Sequence, residues 1–330
     1  MPVTLLSHAA GLSRALGATA RAGTFALLAT LAPGAVAQPH ASTGQPSPAA
    51  ATPAPARASA PAPFKQEIPV AAYSIEMLPI PADASRSIRP FWMSATEISW
   101  EAFDVFAYRL DETDSSPVDA ESRPTKPYLP PDRGFGHEGY AAISITHKSA
   151  TKFCEWLSAK SGKHFRLASE DEWEHACRAG APADAATPFP SDAPLTDFAW
   201  FAANADGTPH PIARKKPNAW GLFDMLGNVR EWVNGRNGKP TTKGGCYLDP
   251  ADKLTITARA DQNKTWNQTD PQIPKSTWWL SDGPFSGFRI ICTSDVSDPG
   301  KPAPATSGTP AERPGDAPAP TSIPPTKEPR

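Results

Sequence analysis

The alternation of apolar and polar positions predicts many short elements rather than a few long periodic ones. Phe91, Trp92, Met93 and Ser94 form a strand-like run, and residues 96–100 lead into a helix. In that helix Phe103, Phe106, Tyr108 and Leu110 recur at near-helical spacing. A second helix is predicted over residues 148–161, where Ala150, Phe153, Cys154 and Leu157 occupy positions i, i+3, i+4 and i+7. A third begins at Ser169, whose hydroxyl can cap while Glu172, three residues on, reciprocates in a capping box. It runs through Trp173 and Ala176 to Arg178, with Gly180 placed to stop it. Beyond it, Gly- and Pro-punctuated loops alternate with short strands such as residues 286–291.

Composition divides the 330 residues into one domain and two unusual ends. Residues 1–37 carry Arg14 and Arg21, an apolar run over 24–31 and then Ala35 and Ala37. These are the parts of a cleavable signal peptide, so an exported protein, periplasmic or secreted, is expected. The apolar run is too short to span a bilayer, and no transmembrane segment is expected after its removal. Residues 38–64 and 297–330 are rich in Pro, Ala, Ser and Thr. They hold too few large apolar side chains to offset the entropy of ordering, and are expected to be disordered. Residues 65–296 are left as a single domain with ample core, expected to be a monomer.

The formal net charge of −2 argues against a nucleic-acid footprint. The sequence has no P-loop, no Gly-x-Ser-x-Gly elbow and no Gly-x-Gly-x-x-Gly. The seven histidines do not pair at a metal-ligand spacing; His175 is expected to be structural or solvated, and His147 to lie at the surface.

Six ordered blocks carry a family resemblance. They are residues 91–99, residues 143–156, residues 165–174 (Phe-Arg-Leu-Ala-Ser-Glu-Asp-Glu-Trp-Glu), residues 217–232, Lys243-Gly244-Gly245 and the closing Gly287-Phe288-Arg289. The fourth contains Asn218-Ala219-Trp220-Gly221-Leu222-Phe223-Asp224-Met225-Leu226-Gly227-Asn228-Val229-Arg230-Glu231-Trp232. Together they resemble the formylglycine-generating enzyme family, the sulfatase-modifying factors. The resemblance implies an α+β domain of C-type-lectin-like topology with little regular secondary structure.

The chain departs from that family where the chemistry lies. Oxidases of the family hold copper with two cysteines just after the Gly-Gly strand, as thiolates suit a soft ion. Here Asp249 falls at about the first position, and no cysteine follows Cys246 until Cys292. Arg230 stands where the family has a tryptophan, and copper-dependent formylglycine formation is not expected. The resemblance does carry over a calcium site at Asp224, Gly227, Val229 and Glu231, with two side-chain oxygens and two carbonyls, a hard-oxygen set suited to that ion. Against it stands the reading that Asp224 and Glu231 only satisfy backbone donors or a neighbouring arginine.

Four cysteines in an exported chain allow three disulfide connectivities. The family's bridge corresponds to Cys154 with Cys292, leaving Cys177 with Cys246. A binding cleft is expected around Arg230, Cys246, Tyr247, Asp249 and Arg259, with Trp266 nearby. Trp278 and Trp279 are expected either to wall that cleft or to cap the core. Two functional classes follow. One is a calcium-stabilised binding or accessory module for an unknown peptide, protein or glycan. The other is a family enzyme with altered chemistry, an oxidoreductase or protein-modifying activity acting through Cys246.

Overall fold

A computed structural model describes residues 61–113 and 121–293. The expected signal peptide, most of the expected N-terminal linker and the Pro-rich tail lie outside the described residues. Those described all belong to one compact unit, Arg57–Arg330.

Alternation of buried and exposed side chains builds the first sheet. In β2 (Ser74–Ile80), Ile75 and Met77 point into the core while Glu76 faces solvent. β2 pairs antiparallel with β1 (Phe64–Glu67) on one side and β3 (Phe91–Ser94) on the other. β4 (His164–Arg166) and β9 (Ile291–Thr293) complete the order β1-β2-β3-β9-β4. The last described strand thus sits between two early ones. The second sheet has the order β7-β6-β5-β8, from β5 (Arg230–Asn234), β6 (Pro240–Lys243), β7 (Arg259–Asp261) and β8 (Ser286–Gly287). Only the β5–β8 pair is parallel.

Among the described residues three α-helices and four short 3-10 turns complete the regular structure, the α-helices being α1 (Trp100–Ala107), α2 (His147–Ser161) and α3 (Glu170–Arg178). The capping box at α3 forms as the spacing predicts. Ser169 Oγ accepts from the Glu172 amide at 3.2 Å and Glu172 returns a carboxylate to the Ser169 amide at 2.8 Å. α3 ends at Arg178 as predicted, with Ala179 in the left-handed conformation at φ 48° and Gly180 following at 83°. α1 is shorter than predicted. Tyr108 and Leu110 lie past its end and are 45 % and 57 % exposed, so their apolar character does not mark a buried face.

Phe103, Phe153, Trp232 and Phe288 anchor the larger core cluster, and Phe91, Trp173 and Met225 anchor a second. From Arg178 to Arg230 the chain forms one 3-10 turn, Leu195–Asp197, and is otherwise irregular. Low regular structure in an α+β domain is what the family resemblance implied.

All four cysteines are free and buried, which corrects both expected bridges. Cys177 belongs to the Trp173 cluster, whereas Cys246 packs with Ala205 and Tyr247 in a separate one. Cys154 and Cys292 share a cluster, but the first thiol has Glu155 and Arg166 as charged neighbours while the second lies beside Lys163.

Candidate functional site

The turn before β5 is built from backbone that favours glycine. Asp224, Gly227 and Asn228 have φ of 53°, 85° and 46°. Gly227 is obligatory: a Cβ there would stand 2.2 Å from the Trp200 carbonyl oxygen. Asn228 ties the turn to four other segments. Its amide donates to Trp200 O at 2.8 Å, its carbonyl accepts from the Tyr247 amide at 2.8 Å, and Oδ1 accepts from the His210 amide at 3.0 Å. Its Nδ2 donates to Glu97 Oε1 at 3.1 Å.

Behind the turn, three carboxyl groups surround one guanidinium. Arg289 donates to both Glu231 oxygens at 2.6 Å and to the carbonyls of Ser94 and Phe223 at 3.1 and 2.8 Å. Trp173 Nε1 adds a bond to Glu231 at 2.6 Å. Asp224 Oδ2 accepts from the Ala213 amide at 2.8 Å. Asp224 Oδ1 and Glu97 Oε2 are buried with no partner. Burial pushes the Asp224 carboxyl up to about 6, and burial with Asp224 and Glu231 alongside pushes Glu97 well up.

Of the four residues carried over as calcium ligands, Asp224, Gly227 and Val229 lie in this turn and Glu231 in β5 just after it. The orphaned Asp224 Oδ1 fits a hard cation, and the Gly227 and Val229 carbonyls accept no hydrogen bond from described residues. Glu231 is different, because Arg289 and Trp173 already occupy its oxygens. Among the described residues no three His, Cys, Asp or Glu side chains group as metal ligands, so an ion here would rest on Asp224 and backbone oxygens. A bound calcium would supply fixed positive charge holding the turn.

The cleft lies on the other side of β5. Arg230 Nη2 donates to both Asp249 oxygens, at 2.7 and 2.8 Å, and the Arg230 guanidinium lies 5.5 Å from the Phe285 ring centroid. With Thr242, Gly245, Lys253 and Arg259 they line a cavity of about 370 Å³. Of the expected cleft residues, Arg230, Asp249 and Arg259 therefore come together. Cys246 and Tyr247 lie beneath the surface, each 1 % exposed. The Cys246 amide donates to Asp249 Oδ2 at 2.8 Å, and burial and the Asp249 charge push its thiol up to about 11 against the opposing pull of Arg230.

Trp278, Trp279 and Trp266 are core residues, not cleft walls, all three buried in the larger cluster. Trp279 Nε1 donates to the Thr125 carbonyl at 2.8 Å, which commits its polar end. His175 is structural, bonding to the Pro81 carbonyl at 2.8 Å. His147 is half-buried at the surface. It contacts Asn234 Oδ1 at 3.0 Å and stands edge-on to Trp232, and burial lowers its pKa. Sequence reasoning missed Glu97 and Arg289 as a unit, although both fall inside the resemblance blocks.

The profile of the family described as "Sulfatase-modifying factor enzyme 1-like domain" matches residues 58–271, more than half of the chain. The chain belongs to the sulfatase-modifying factor family. Its α+β, C-type-lectin-like architecture is that of the family. Curated relatives include a formylglycine-generating enzyme from Mycobacterium tuberculosis, 31 % identical over 29 % of this chain and 33 % of that protein. Another is the chaperone protein LppX of Paenibacillus barcinonensis, 26 % identical over 42 % of this chain and 43 % of the relative. The chain thus spans less than half the length of each. Among solved structures, PvdO from Pseudomonas aeruginosa is 22 % identical, with a TM-score of 0.48 over 71 % of this chain and 98 % of that one. A Treponema denticola variable protein is 18 % identical, with a TM-score of 0.49 over 70 % and 99 %. Among the described residues no helix is long and apolar enough to cross a membrane.

Proposed function

We propose that this sulfatase-modifying factor is an exported, calcium-stabilised binding or accessory module whose ligand enters the Arg230–Asp249 cleft, without copper-dependent formylglycine-generating activity. The observation that carries it is the cleft's chemistry. Where the family's oxidases present a thiol pair, this chain presents a guanidinium–carboxylate pair over a single buried thiol. A carboxylate and an amine-type cation are poor ligands for a soft monovalent copper ion. A thiol held up at about 11 is almost wholly protonated at neutral pH, and the thiolate is the reactive form. That weighs against Cys246 as a nucleophile. The relatives include a chaperone and a formylglycine-generating enzyme, and the cleft favours the binding side of that pair.

Oxygen consumption by the full chain, supplied with copper(I) and a cysteine-containing peptide, is expected to stay at the protein-free rate. Turnover that disappears in Cys246→Ser would overturn the reading.

The calcium part makes a separate prediction. Dialysis against a chelator is expected to lower the melting temperature, and Asp224→Ala to remove that difference, since Asp224 supplies the unpaired oxygen. Calcium binding is also expected to weaken as pH falls through about 6, where Asp224 takes up a proton. Melting curves identical with and without chelator at neutral pH would remove calcium from the proposal.

A further inference from the structure

A second cavity, of about 600 Å³, opens at the far end of the β6–β7 pair. Lys239, Pro240, Gln262, Lys264 and Lys275 help to line it, and Asp261 is the lone carboxylate among its lining residues. That carboxylate is already paired, with Arg259 at 2.8 Å. Lys239 shares Asp261 with Arg259, Lys264 has no carboxylate partner among the described residues, and Lys275 donates to the carbonyls of Gln268 and Asp270, at 2.7 and 3.0 Å. The groove therefore carries an excess of positive charge in a chain whose formal net charge is −2.

Strand register joins this groove to the cleft. Side chains two apart on a strand share a face. Pro240 lines the groove and Thr242 the cleft, both on one face of β6. Thr242 pairs with Ala260 of β7, another cleft residue, and Gln262, two further along, lines the groove. The two cavities thus open on the same face, with Thr242 and Ala260 as a low ridge between them. Two residues of strand measure roughly 7 Å, a distance an extended peptide covers with two residues of its own.

We propose that this face binds an extended acidic peptide, one end in the Arg230–Asp249 cleft and its carboxylates against Lys239, Lys264 and Lys275. The proposal rests on the reading of the cleft as a binding site. Three observations select the ligand class. The lysines match carboxylates by charge. The Gln262 side chain, which has no partner in the structure, is available to a peptide backbone. The groove lining contains no Phe, Tyr or Trp, so it offers neither the stacking platform of a single-stranded nucleic acid site nor an aromatic plate for a sugar ring.

The test is fluorescence anisotropy of a fluorescein-labelled octaglutamate peptide with the full chain at about 50 mM salt, near a 14 Å Debye length by the scaling of screening with ionic strength. Saturable binding that weakens with salt is expected, with octaserine showing none. Lys239→Glu/Lys264→Glu is expected to weaken binding at least tenfold, and Lys253→Glu, an exposed change in the cleft, at least threefold. Matching melting curves establish that both variants fold. Binding lost in Lys253→Glu but unchanged in the groove variant would sink the extension while leaving the cleft reading intact. Binding lost only in the groove variant would show that the peptide does not reach the cleft, and would overturn the two-cavity path. Absence of binding to the wild-type chain, or displacement of the peptide by equimolar single-stranded DNA, would overturn the ligand class.

Discussion

Arg289→Leu is expected to destabilise the protein by about 3–5 kcal/mol, the loss seen when one partner of a buried ion pair is removed. Total stabilities of about 5–15 kcal/mol make that close to loss of the fold. The reason is local. Arg289 is 1 % exposed and is the guanidinium that Glu97, Asp224 and Glu231 all face. Without it Glu231 keeps only the Trp173 indole bond, and three buried carboxyls lose the guanidinium they share. The variant should also change the pH dependence in a definite direction. Asp224 and Glu97 have folded-state pKa values raised above those of the unfolded chain, so the folded state binds protons more tightly. Stability from these groups is fully present at low pH and is lost as pH rises from about 4 through about 6 for Asp224. Removing Arg289 steepens that loss, so Arg289→Leu should be less impaired at pH 5 than at pH 8. Urea unfolding at both values measures it. The double variant Glu231→Leu/Arg289→Leu should recover part of the deficit, because the carboxylate that Arg289 bonds directly is removed with it. A single-variant loss under about 1 kcal/mol, or no difference between the two pH values, would mean the cluster is not stabilised by its charge pattern.

The sequence revealed local features well and long-range ones only through resemblance. α2 and α3 follow from apolar spacing and from the Ser169–Glu172 reciprocity, since both signals act within four residues. α1 was overextended because Tyr108 and Leu110 continue the pattern without being buried, and spacing cannot report burial. Trp278 and Trp279 show the same limit. Paired tryptophans fit a cleft or a core, and what decides it is the Thr125 carbonyl waiting for the Trp279 indole. The Arg230–Asp249 pair is half legible: both residues are expected in one cleft, but their direct contact depends on how the Gly244-Gly245 turn, with φ of 86° and 72°, redirects the chain. The lysine groove was not legible. Lys239, Lys264 and Lys275 are unremarkable in sequence and meet only in the fold, Lys239 just before β6, Lys264 in the 3-10 turn after β7 and Lys275 in the loop beyond it.

Gly227→Ala should be the second large effect, on the order of 3 kcal/mol. A left-handed φ of 85° costs a residue with a Cβ about 1–2 kcal/mol. The new methyl would also stand 2.2 Å from the Trp200 carbonyl, which is backbone and cannot rotate away. Relieving that clash moves the acceptor of the Asn228 amide, and a buried hydrogen bond lost there adds about 1–3 kcal/mol. Gly238→Ala isolates the first contribution. Gly238 has a φ of 71° but nothing within 4 Å of the added Cβ, so only the conformational cost applies. Thermal or urea melts of the two variants should therefore differ by about 2 kcal/mol, with Gly227→Ala the weaker protein. Equal losses would show that the Trp200 contact gives way freely. In that case the turn would not be held by close packing, and its carbonyls would lack the fixed aim that a calcium ion requires of them.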